Sequence, residues 1–136
     1  MLELGGIPRS DNYSAVDIGC GNGWVCRLLA QDESCTRVLG VDGSEAMISK
    51  ARQIDSNGEY KVTKLPEWMP SEKFDFIHSM EFLYYLHDPQ SMLKQLHENW
   101  LNSGGMLVAG IDHYRENDDS HDWPDALNVH MTTLSI

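Results

Sequence analysis

Three glycines at alternating positions, in Asp17-Ile18-Gly19-Cys20-Gly21-Asn22-Gly23, form the segment of this chain best suited to holding a ligand. Without Cβ atoms a backbone turns sharply and approaches a bound molecule closely, and a helix that starts beside such a turn aims its first N–H groups at it. Asp42 lies nineteen residues beyond Gly23, at the end of a second apolar run. In an open α/β sheet a carboxylate there accepts two hydrogen bonds from a ribose diol. The glycine loop and Asp42 together imply a nucleotide-like ligand, and the pair is more specific than either part. The sixth position of a dinucleotide-binding GxGxxG is Trp24 here, and no Gly-Lys-Ser/Thr phosphate loop is present. The ligand need not carry phosphate.

The elements that must position these residues follow from periodicity. Tyr13 to Ile18 is a short apolar run that reads as a buried strand, and Val25, Leu28 and Leu29 then recur at helical spacing. Arg37 to Val41 is a second strand, closed by Asp42-Gly43. Ser44 is placed to cap a helix carrying Met47, Ile48, Ala51 and Ile54, and Glu45 suits its positive end. Tyr60 to Leu65 reads as a third, more polar strand, and Phe74 to Met80 as a fourth. Asp88-Pro89 opens a helix with Met92, Leu93, Leu96 and Trp100 on one face, stopped by Ser103-Gly104-Gly105. Met106 to Ile111 is a fifth strand, apolar on both faces as a central parallel strand would be. Strands alternating with helices predict an α/β fold, a Rossmann-like open, mainly parallel sheet with right-handed crossovers. Ligands bind such sheets at the strands' carboxyl ends.

Composition narrows the function classes. Ten Lys and Arg against twenty-one Asp and Glu give the 136 residues a net charge of −11, which disfavours a nucleic-acid partner. With 41% apolar residues the chain suits one domain over residues 1–136. No apolar run approaches the roughly 20 residues of a membrane span, and no secretory signal is evident, so a cytoplasmic location without a membrane partner is expected. Cys20, Cys26 and Cys35 cannot all pair internally and read as reduced packing residues.

The loop Val16 to Gly23, Gly40-Val41-Asp42-Gly43-Ser44, Phe74-Asp75-Phe76-Ile77, Tyr85-Leu86-His87-Asp88-Pro89 and Leu101-Asn102-Ser103-Gly104-Gly105 occur in this order from Tyr13 to Ile111. In them the chain resembles the class I S-adenosylmethionine-dependent methyltransferases. The resemblance implies a strand order 3-2-1-4-5, S-adenosylmethionine as cofactor and S-adenosylhomocysteine as product. It implies that Asp17, Gly19, Cys20, Gly21 and Gly23 line the methionine and ribose portions, with Asp42 on the ribose hydroxyls and Met47 and Gly43 near the adenine. The family often has an acid after strand three that accepts the adenine amino group. Here that loop is Thr63-Lys64-Leu65-Pro66, with Glu67 the nearest acid, and Leu65 offers a backbone N–H and an apolar wall. Ser79, Met80 and Glu81 fall where the family faces the methyl group and substrate.

Methyl transfer from a sulfonium mainly requires that nucleophile and methyl carbon be held in contact, with a base for some acceptors. The candidate bases are His87, in the loop after strand four, and Asp112, His113 and Tyr114, directly after strand five. His78, inside strand four, reads as a packed histidine. The acidic stretch from His113 to Asp122 lacks a metal-ligand spacing, so no metal is expected. The family's sheet has seven strands, and the segment Asp112 to Ile136 has room for a helix and one short strand, Asn128 to Ile136. A C-terminally incomplete, shortened member is therefore expected. Its strand-five edge would be covered by that segment or by a second chain in a homodimer. The resulting expectation is an enzyme that methylates a small molecule, and the alternative is a non-catalytic cofactor-binding or interaction module.

Overall fold

The computed structural model describes residues 12–113, 115–127 and 130–133. Its elements run β1 (Tyr13–Ile18), α1 (Trp24–Leu29), β2 (Cys35–Asp42), α2 (Glu45–Ile54), β3 (Glu59–Val62), β4 (Phe74–Met80), α3 (Pro89–Gln95), β5 (Leu101–Gly110) and α4 (Trp123–Leu127). A 3-10 turn, Leu83–Tyr85, follows β4, and α3 continues into a π-helical turn, Leu96–Trp100. The five strands form a parallel sheet in the order β3-β2-β1-β4-β5. This is the expected order, and it reverses between β1 and β4, where a crevice opens at the strands' carboxyl ends.

The sheet is buried on both faces because its strands alternate their side chains. Val16, Ile18, Leu39, Val41, Phe74 and Ile77 face Met92, Leu96 and Trp100 on the α3 side. Tyr13, Ala15 and Phe76 face Val25 and Leu29 of α1, while Ile48 and Ala51 of α2 pack with Cys20, Cys26 and Tyr60. Both predicted caps form. Ser44 Oγ accepts the Met47 N–H at 3.3 Å, and Asp88 Oδ1 accepts the Ser91 N–H at 3.0 Å, with Pro89 in the first turn of α3.

Four expectations are corrected. First, β3 stops at Val62 rather than Leu65, because the chain turns away after the Thr63 N–H reaches Asp42 O at 3.0 Å. Second, β5 starts at Leu101, and the segment Ser103-Gly104-Gly105 is a bulge rather than a helix stop. Phe74 pairs with Leu101 and Phe76 already with Met106, so the intervening residues loop out, Gly104 at φ +79°. A Cβ on Gly105 would stand 2.8 Å from Asp75 O, so only glycine lets the bulge lie this close to β4. Third, among the described residues β5 pairs only with β4, and none of its residues is fully buried, so it is an edge strand here and not a central one. Fourth, residues 130–133 are not a strand. They lie on the turn after β4, where the Thr132 N–H donates to Tyr84 O at 2.6 Å and the Thr132 hydroxyl to Leu86 O at 2.5 Å. The remainder of the expected Asn128 to Ile136 strand, residues 128, 129 and 134–136, is outside the described residues. No helix of the described residues is long and apolar enough to cross a membrane.

Asp75 ties three strands at their amino ends. Its Oδ2 accepts the Ser14 N–H at 2.9 Å and the Ser14 hydroxyl at 3.3 Å, and its Oδ1 accepts the Asn102 amide at 2.9 Å. Burial raises its pKa, but these donors outweigh that and hold the carboxyl below its ordinary value. A depressed folded-state pKa contributes stability that is fully present above the unfolded value, near 3.9, and is lost as pH falls through the folded one. Asp75→Ala is therefore expected to destabilise the chain by about 1 kcal/mol at pH 7. The deficit should shrink between pH 4 and pH 2, as measured by urea melts; a deficit independent of pH would refute this assignment.

Candidate functional site

Gly19, Gly21 and Gly23 all have left-handed φ, at +74°, +54° and +82°, a run that side chains rarely tolerate. The Gly19 and Cys20 N–H groups both donate to Val41 O, at 2.8 and 3.0 Å, which fastens the loop to the end of β2. A Cβ on Gly23 would lie 2.6 Å from the Tyr60 ring, and Tyr60 is itself held by a hydrogen bond from its hydroxyl to Asp55 Oδ2 at 3.0 Å. Gly23 therefore serves the packing of the loop against β3.

Asp42 joins the two halves of the site. Its Oδ2 accepts the Gly21 N–H at 2.9 Å and its Oδ1 the Ser44 N–H at 2.8 Å. A carboxylate oxygen accepts more than one hydrogen bond, so each keeps capacity for a ligand hydroxyl. Beside it lies a cavity of about 500 Å³ lined by Gly19, Val41, Asp42 and Gly43, by Thr63, Lys64, Leu65 and Glu67 after β3, and by Glu81, Phe82, Tyr85 and Leu86 after β4. Thr63 is buried and its Oγ1 has no hydrogen-bond partner among the described residues. An unpaired buried hydroxyl is costly, and a polar ligand group would satisfy it.

Of the residues picked out from the sequence, Gly19, Asp42, Gly43 and Leu65 line this cavity, as does Glu67. Gly21 acts on it through Asp42. Cys20 is buried below the loop, Met47 stands 42% exposed on α2, and Met80 is exposed, so none of the three lines the cavity. Ser79 is fully buried, and its Oγ has no hydrogen-bond partner among the described residues.

Asp17 lies beneath the glycine loop and is not among the lining residues of the cavity. It is buried, and its Oδ1 lies 2.8 Å from His78 Nδ1, with the Cys26 thiol 3.9 Å from Oδ2. Burial pushes its carboxyl up; the His78 and Cys26 hydrogen bonds pull it down without cancelling that. The pair supports the glycine loop from the α1 side of the sheet, and His78 is the packed histidine its position in the strand predicts.

The two candidate histidines also divide. His87 is exposed, its ring stacked on His130 at 3.8 Å, and it lines a second cavity of about 340 Å³ that shares Leu65, Glu67, Tyr85 and Leu86 with the first. His113 is fully buried. Its Nδ1 is 3.0 Å from Ser120 O and its Nε2 3.4 Å from Thr133 Oγ1, with Tyr84 and Trp123 packed against the ring. Both its nitrogens are engaged, and it does not line the cavity. Asp112 contributes its backbone N–H to Glu81, and Tyr114 is outside the described residues. Phe82 and Tyr85, aromatic residues that by sequence could either wall a substrate pocket or pack, line the cavity, and the Thr63 side chain is the lining group that sequence reasoning missed, because nothing local marks a side chain that reaches the crevice only through the fold.

A family model described as a methyltransferase domain matches residues 2–135. A trans-aconitate 2-methyltransferase of Azoarcus sp. is 34% identical over 105 residues, covering 77% of this chain and 41% of that protein. The chain thus spans less than half the length of the curated relatives it matches. Among solved structures, the methyltransferase in a complex with the Trm112 methyltransferase activator of Haloferax volcanii aligns with a TM-score of 0.82 and 30% identity, over 96% of this chain and 58% of that one. A S-adenosylmethionine-dependent methyltransferase from Mesorhizobium loti aligns with a TM-score of 0.67 and 32% identity, over 79% of this chain and 50% of the other.

Proposed function

Because the chain belongs to the class I S-adenosylmethionine-dependent methyltransferase family, we propose that it binds S-adenosylmethionine in the 500 Å³ cavity and methylates a small-molecule acceptor there. The observation that carries this reading is Asp42, a carboxylate fixed by the Gly21 and Ser44 N–H groups at the cavity wall with acceptor capacity left over. Asp42 would hold the ribose hydroxyls, and the backbone at Gly19 would lie against the amino-acid portion. Gly43 and Leu65 would flank the adenine, with Thr63 Oγ1 and Glu67 as its polar neighbours. These residues fit the group, since the unpaired Thr63 hydroxyl and the bare glycine backbone both call for a polar ligand of this shape.

When bound, S-adenosylmethionine supplies an electrophilic methyl group. The protein's own contribution is to hold the acceptor in line, to exclude water with Phe82, Tyr85 and Leu86, and to receive a proton where the acceptor carries one. His87, which lines the adjoining cavity, would serve some substrates in that last role.

Calorimetry with S-adenosylmethionine and S-adenosylhomocysteine tests the reading. Micromolar binding of both is expected, and a folded chain that binds neither would sink it. A second reading has one specific observation behind it, the neighbour solved in complex with an activator protein. On that reading the chain binds cofactor but turns over only with a protein partner. Methylation that requires added Trm112-type protein would separate the two.

A further inference from the structure

We infer that Glu81 is the carboxylate that receives the acceptor, and that the acceptor presents an amine nitrogen to it; this rests on the methyltransferase reading above. Glu81 is the one non-glycine among the described residues with positive φ, at +56°. An L-residue is strained in this region, so the fold holds a side chain where glycine would sit without strain. Its backbone N–H donates to Gly110 O at 2.9 Å. Its Oε2 accepts the Tyr84 hydroxyl at 2.7 Å and the Asp112 N–H at 3.1 Å. The side chain is thereby fixed by the turn after β4 and the end of β5, and no donor among the described residues reaches Oε1.

The surroundings define what that oxygen would take. Glu81 lines the cavity beside Phe82, Tyr85 and Leu86, so this end offers one charge in an aromatic and apolar wall. Such a wall suits the body of an arylalkyl amine, and the carboxylate suits its ammonium. Around the whole cavity Asp42, Glu67 and Glu81 face a single cation, Lys64. A polycarboxylate acceptor would meet like charge, which opposes its binding. Burial and the Glu81 carboxylate raise the Tyr84 pKa, so its hydroxyl stays protonated and remains a donor.

In the reaction the ammonium gives one proton to Glu81 Oε1. The freed nitrogen lone pair forms the N–C bond to the methyl carbon as the C–S bond breaks, its electron pair remaining on sulfur. The methylated nitrogen leaves as a cation and Glu81 later returns its proton to water.

The test uses the full chain loaded with S-adenosylhomocysteine, titrated with benzylamine, 2-phenylethylamine and tryptamine, and with trans-aconitate for comparison. At least one amine is expected to bind, and trans-aconitate is not. Glu81→Gln should keep S-adenosylhomocysteine affinity within about twofold, weaken amine binding at least tenfold, and lower kcat/KM for amine methylation about 100-fold. Glu81→Gly relieves the left-handed strain but takes the acceptor from the Tyr84 hydroxyl and the Asp112 N–H, so it should melt lower than Glu81→Gln yet lose amine binding no more than Glu81→Gln does, a match that a purely structural role would not produce. Binding of S-adenosylhomocysteine with no amine binding overturns this inference alone. So does amine binding unchanged in Glu81→Gln, or methylation of trans-aconitate in preference to the amines. Failure to bind S-adenosylhomocysteine overturns the parent reading and this one with it.

Discussion

Asp42→Ala is expected to weaken S-adenosylhomocysteine binding at least tenfold, about 1.4 kcal/mol, while leaving the chain folded. The carboxylate makes two kinds of contribution. In the free protein it accepts the Gly21 and Ser44 N–H groups and so couples the glycine loop to the start of α2. In the complex it would also accept the ribose hydroxyls, and hydrogen bonds to a charged acceptor contribute about 1.5–3 kcal/mol each. Alanine removes both at once. Asp42 is only half buried, so water can reach the two abandoned N–H groups, and the loss of fold stability should be the smaller effect. Asp42→Asn, which retains one oxygen, should fall between wild type and alanine. Calorimetry on the three proteins decides it: alanine within twofold of wild type would remove Asp42 from the cofactor site.

The second large effect is on stability. Trp100 is completely buried at the end of the π-helical turn, packed in the cluster of Val16, Phe74, Ile77, Met92 and Leu96 and set edge-on to Trp68 at 5.5 Å. Trp100→Ala is expected to cost about 3–5 kcal/mol, the transfer energy of the ring plus the cavity it leaves. Against a total of roughly 5–15 kcal/mol, that brings the chain close to unfolding. Trp100 Nε1 has no hydrogen-bond partner among the described residues, so its N–H adds nothing that phenylalanine would forfeit. Trp100→Phe should therefore cost less than half as much. Urea denaturation of both variants measures this, and a loss under about 1 kcal/mol for alanine would mean that the α3 side of the core does not depend on this ring.

Much of the scaffold was legible in the sequence because its signals are local. A glycine loop after an apolar run, an Asp ending the next run, a Ser or Asp before a helix: each is decided by the conformations of a few neighbouring residues, and each was found where expected. The strand order is the one that the resemblance to the methyltransferase family implies.

What escaped were properties belonging to no single segment. Asp17 and His113 look alike in sequence to residues that face a ligand, yet both are buried and engaged. The register that sets Asp17 beside His78, and the fold-back that brings Ser120 and Thr133 onto His113, turn them inward. Glu81 gives no local sign of its left-handed backbone or of being pinned by Tyr84 and Asp112. The unpaired hydroxyl of Thr63 exists only because β3 ends early and the chain turns into the crevice. The sequence by itself determined the parallel sheet, the glycine loop and the Asp42 carboxylate that ends β2, because backbone conformation and apolar periodicity are set over a few residues. Only the tertiary structure decided which side chains meet the cavity, because burial and hydrogen-bond partnership depend on contacts between residues distant in the chain.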